Sequence, residues 1–84
     1  MEKGFNSDIS ISGIGYHVQT EDWGSANPFV VTRIFRGGAV VKSVKTPYSE
    51  IWKRASKSDQ HAIRLGMQLQ HQEILDQLMD GQSK

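Results

Sequence analysis

The chain has 84 residues, with ten Lys and Arg against nine Asp and Glu and a net charge of +1. That length holds one domain with a thin core, burying roughly 60–65% of the surface exposed on unfolding, and the near-neutral balance excludes the strongly basic surface of a general nucleic-acid binder. There is no cysteine, which excludes disulfides, thiolate chemistry and Cys-ligated zinc.

Met1 to Phe5 contains no apolar core of the kind a signal peptide needs. No stretch approaches the roughly 18 apolar residues of a membrane span. The expectation is a cytoplasmic protein without a membrane segment, forming a single domain over 1–84 with flexible ends at 1–5 and 82–84. From Ser7 to Ser12, Ile9 and Ile11 alternate with Asp8, Ser10 and Ser12, which is the period of a half-buried strand. Gly13-Ile14-Gly15 reads as a tight turn. A second alternating strand runs from Tyr16 to Glu21, with Tyr16, Val18 and Thr20 on one face and His17, Gln19 and Glu21 on the other. Asp22 to Pro28 is rich in turn residues and is expected to be a loop.

Phe29–Arg36 and Ala39–Thr46 are β-rich runs flanking Gly37-Gly38, the composition of a two-residue type I′ hairpin. A simple register pairs Phe35 with Val40, Ile34 with Val41 and Val31 with Val44. It places Arg33 and Lys42 on one face and Arg36 and Lys45 on the other. Thr46 suits a helix cap and Pro47 a first helical position, predicting a short helix from Tyr48 to Arg54 anchored by Ile51 and Trp52. Ser56 or Ser58 then caps a long helix from Asp59 to Asp80, with Gly81 as its C′ residue. Gly66, inside that helix, costs about 1 kcal/mol against Ala; either another backbone passes close by or the glycine is incidental.

The long helix carries two apolar rows. Ile63, Met67, Ile74 and Leu78 form one, with Gln70 and His71 between them; Ala62, Leu65, Leu69, Leu75 and Met79 form another, roughly opposite at about 100° per residue. A surface helix on a small domain needs one such stripe. Either the second meets a partner, or the short helix covers it through Ile51 and Trp52.

No catalytic or cofactor motif is present. Gly13-Ile14-Gly15 precedes no helix, Gly37-Gly38 lacks the Gly-Lys-Ser/Thr of a phosphate loop, and no Ser lies in a Gly-x-Ser-x-Gly elbow. On a strand His17 and Glu21 share a face about 13 Å apart at roughly 3.3 Å per residue. His61 and His71 are rotated by roughly 280° on a helix. Neither spacing suits a metal, and solvated or singly bonded histidines are expected. Trp23, in a Gly/Ser/Asn loop, either folds over the core or, together with Asp22, forms an exposed contact.

The segment Gly13-Ile14-Gly15-Tyr16-His17-Val18-Gln19-Thr20-Glu21-Asp22, with Asn27-Pro28, Gly37-Gly38, the Lys45-Thr46-Pro47-Tyr48 turn and the Gln68–Gln72 stretch, resembles a set of small uncharacterised bacterial domain proteins. The likeness covers about 5–81 and implies a compact bacterial domain and little about its ligand.

The reading is an α+β fold: two hairpins forming a four-stranded antiparallel sheet, then a short and a long helix packed on one face. The expected function is that of a non-enzymatic protein-interaction or adaptor module without cofactors or metals. Its partner is another protein or a second copy, met through Leu65, Leu69, Leu75 and Met79, with Asp22 and Trp23 as a second contact; self-association runs through the helix or an edge strand. The alternative is a small nucleic-acid binder using Arg33, Arg36, Lys42 and Lys45.

Overall fold

The computed structural model describes residues 3–82. Strands β1 (Phe5–Ile11), β2 (Ile14–Asp22), β3 (Phe29–Arg36) and β4 (Ala39–Pro47) form an antiparallel meander in the order β1-β2-β3-β4, followed by helices α1 (Tyr48–Ala55) and α2 (Gln60–Gln82). This is the expected α+β arrangement. Phe5 belongs to β1 and Gln82 to α2, so the ordered elements reach into both ends expected to be loose. Met1, Glu2, Ser83 and Lys84 lie outside the described residues.

The first turn is Ser12-Gly13, not Gly13-Ile14-Gly15. Ile11 pairs with Ile14, and both turn residues have positive φ, 52° and 78°. That left-handed pair matches the twist of a two-residue hairpin, and Gly at the second position avoids the Cβ clash. Gly37-Gly38 makes the second such turn, as expected. Beyond Phe35–Val40, however, the register slips between Ile34 and Phe35, and Ile34 pairs with Lys42, Thr32 with Val44 and Val31 with Lys45. The unpaired extra residue is Val41, in a β-bulge. A one-residue slip exchanges the two faces of a strand. The expected pairs Ile34–Val41 and Val31–Val44 are therefore corrected, and so is the expected sharing of faces among the basic residues.

β4 continues to Pro47, and the chain enters α1 without a loop. Thr46 is not a cap: Pro47 occupies that position without a side-chain bond, and the Tyr48 N–H donates to the Pro28 carbonyl at 2.9 Å. Ser56 ends α1 in the left-handed conformation (φ 54°). Asp59, rather than Ser56 or Ser58, caps α2, its Oδ1 accepting the Ala62 N–H at 2.8 Å. Gly81 lies inside α2, not beyond its end.

α2 crosses the face of the sheet that carries Phe5, Ser7, Val18, Thr20, Val30, Thr32 and Ile34. Its inner row inserts as two apolar clusters. Ile63 and Met67 pack with Val30, Tyr48 and Ile51, flanked by Phe5 and Trp52; Ile74 packs with Val18 and Ile34, flanked by Tyr16, Val44, Leu75 and Leu78. Gly66 is where α1 approaches. A Cβ there would stand 2.6 Å from Ile51 Cγ2, so the close neighbour is a side chain and not a backbone.

Candidate functional site: the outer face of α2 and its groove

The axes of the two outer strands lie about 14 Å apart at roughly 4.8 Å spacing, whereas one helix is about 10–12 Å across. α2 lies against β1, β2 and β3 and α1 against β4, leaving the inner face of the edge strand β4 only partly covered, with Val44 and Thr46 half-buried. A groove of about 600 Å³ follows that gap. Val44 and Thr46 form its floor, Ile51, Arg54 and Ala55 close its α1 end, and Leu65, Leu69, Glu73 and Gln77 stand along the α2 wall.

Structure divides the second apolar row of α2. Ala62 is buried, with α1 close by through Ile51, so the covering expected from the short helix operates at that end of the row. Leu75 is half-buried against the second cluster. Leu65, Leu69 and Met79 remain 45%, 64% and 59% exposed. Three of the four expected association residues thus face outward.

Asp22 and Trp23 separate. Asp22 closes β2 on the helix side and is 5% exposed. Its Oδ1 accepts from the Tyr48 hydroxyl and from the Gly24 N–H at 2.9 Å, and its Oδ2 from Gln60 Nε2 at 3.1 Å. Burial first, then the bond to and charge of Asp22, push the Tyr48 pKa up to about 12. Asp22 thus ties the β2–β3 loop, α1 and α2 together, and the expectation of an exposed Asp22 contact is corrected. Trp23 turns to the helix-free face of the sheet. Arg33 lies 5.4 Å and Lys45 5.1 Å from its ring centroid, and Lys45 lies 4.2 Å from that of Phe29. Beneath this group Val31 is 3% exposed, although no helix covers that face.

The bulge brings Arg33 and Lys45 together here, while Lys42 pairs beside Ile34 on the helix side. Arg36 also falls on that side by alternation. The four basic residues therefore form two pairs on opposite faces, differently grouped from the expected pairs. Glu21 lies 3.7 Å from Arg33.

His71 was expected to be solvated or singly bonded; it is buried with both ring nitrogens occupied. Nδ1 lies 2.8 Å from Thr20 Oγ1 and Nε2 lies 2.8 Å from Ser7 Oγ. Thr20 Oγ1 lies 2.7 Å from Thr32 Oγ1, which accepts from Gln70 Nε2 at 2.9 Å. The same Gln70 nitrogen faces the carbonyls of Val30 (3.5 Å) and Val44 (3.4 Å). Three acceptors around it require the amide nitrogen there. One arrangement that satisfies every distance has Gln70 donating to Thr32, Thr32 to Thr20, Thr20 to Nδ1, and the Nε2–H of neutral His71 to Ser7. Burial, and secondarily the charge of His17, lower the His71 pKa from 6.5. This polar belt runs between the two apolar clusters. Its sequence signal was the polar Ser7 and Thr20 at inward strand positions and Gln70 and His71 on the inward helix row.

Among the described residues no helix is long and apolar enough to cross a membrane, and no cluster of three or more His, Asp or Glu side chains could hold a metal. Comparison with protein-family models, curated proteins and solved structures finds no match in any of the three.

Proposed function

We propose that this chain is a non-enzymatic protein-interaction module that docks a partner against the outer face of α2 and the groove above β4. The observation carrying this reading is Leu65 and Leu69, 45% and 64% exposed, at the rim of an apolar groove floored by Val44. Apolar side chains grouped along a groove, with charged residues around them, are the anatomy of a docking surface. A folded Leu69→Asp variant tests it. With Leu69 this exposed, its stability changes by less than about 0.5 kcal/mol, whereas a hot-spot side chain contributes about 2 kcal/mol or more to binding. Proximity labelling in the native cell is expected to return a partner with the wild-type chain and to lose it with Leu69→Asp. A partner retained by Leu69→Asp and by Leu65→Asp removes the groove from the interface.

The grouping of Arg33, Lys45, Trp23 and Phe29 on the bare sheet face favours a second reading, binding of single-stranded nucleic acid by stacking and charge. It ranks below the first because Arg36 and Lys42 lie on the opposite face, which divides the phosphate-contacting set. Affinity for an oligonucleotide that falls steeply with added salt is its signature.

A further inference from the structure

We infer that the partner of this outer face of α2 is a second copy of the chain, bound with its α2 antiparallel to the first. The inference rests on the docking reading above and names the occupant. It is carried by the charge order along α1 and α2. From Glu50 to Arg64 the chain has Lys53, Arg54, Lys57 and Arg64 against Glu50 and Asp59, a net +2 with His61 neutral. From Glu73 to Asp80 it has Glu73, Asp76 and Asp80, a net −3. All of these residues are exposed. The groove itself has Arg54 at its α1 end and Glu73 further along the α2 wall.

A second α2 laid parallel sets like charges side by side. Laid antiparallel, it sets the acidic end of each helix beside the basic end of the other. A two-fold axis makes that match twice, because an isologous interface repeats every contact. The apolar positions have the same symmetry. Leu65 and Met79, both exposed, lie seven residues either side of Gln72. An antiparallel crossing centred on Gln72 places Leu65 opposite the partner's Met79, two helical turns or about 10.5 Å from the axis. Gln72 is exposed and meets its own copy there. A polar residue at the centre of an apolar seam sets its register.

The test uses the full chain, whose lack of cysteine makes introduced thiols unique. Light scattering over a concentration series is expected to rise from 9.4 kDa to twice that mass, and Leu69→Asp to remain monomeric at the highest concentration. An equimolar mixture of Leu65→Cys and Met79→Cys, oxidised under native conditions, is expected to give the mixed disulfide. Neither variant alone gives a symmetric one, because like positions stand about 21 Å apart along the axis and a disulfide needs Cβ atoms within about 4.5 Å. A wild-type chain that stays monomeric at millimolar concentration overturns the inference, as does a Leu65–Leu65 disulfide. Either result leaves the docking reading to the labelling experiment, where loss of a different protein on Leu69→Asp identifies a foreign occupant.

Discussion

At the scale of single residues, buried polar groups define this molecule as much as apolar ones. In the arrangement above, protonation of His71 would put a proton on Nδ1, facing a Thr20 oxygen that already accepts from Thr32. The Thr20 hydroxyl proton would then have nowhere to go inside the core, a loss on the order of 1–3 kcal/mol for an unsatisfied group. Since the folded pKa lies below 6.5, the unfolded chain binds more protons in the window beneath that value. Stability is therefore expected to be full above about pH 6.5 and to fall as acid passes through the folded pKa. Urea melts between pH 4 and 8 check this, and His71→Phe should flatten the dependence. Tyr48→Phe removes one of the donors to Asp22 and is expected to destabilise by about 1–3 kcal/mol, since charge-assisted bonds are the stronger ones. A spectroscopic titration of the native chain should show one tyrosine ionising near 12. None of these pairings was legible in advance. Tyr48 and Asp22 are 26 residues apart, and His71 is 51 from Thr20 and 64 from Ser7, so no local pattern connects them.

At the scale of elements, the strands, both hairpins and both helices were legible, because alternation and the 3.6-residue period act over neighbouring positions. Where they failed, the competing physics was local. Val40 and Val41 are equally suited to a strand, and nothing in their identity marks Val41 as the bulged residue. Asp59 outcompeted two serines for the α2 cap because its carboxylate also complements the helix dipole; Asp59→Ala is expected to cost about 0.5–2 kcal/mol. At Gly66 two effects oppose each other. Replacement by Ala improves helix propensity by about 1 kcal/mol, yet the new Cβ would stand 2.6 Å from the buried Ile51. Overpacking of this kind costs about 1–3 kcal/mol, so Gly66→Ala is expected to be neutral to destabilising. The same change in an Ile51→Ala background should be stabilising relative to that background, and thermal melts of the four variants close the cycle.

At the scale of the whole molecule, one long helix on four strands leaves β4 only partly covered on its inner side, and that asymmetry produces the groove. The surplus apolar row of α2 was legible from spacing alone. The side on which it would remain open was not, since that depends on where α1 is seated. The polar belt bears on the same helix in another way. A greasy helix resting on a greasy sheet has many near-equivalent seats and can slide or swivel among them. Here a slip of one turn would strand His71 and Gln70 against valine and isoleucine, so the hydroxyls of Ser7, Thr20 and Thr32 act as a notch that admits a single alignment. Replacing Thr20 and Thr32 with Val, Gln70 with Leu and His71 with Phe should therefore yield a chain that melts later but docks its helix less uniquely, visible as broadened amide resonances along the sheet.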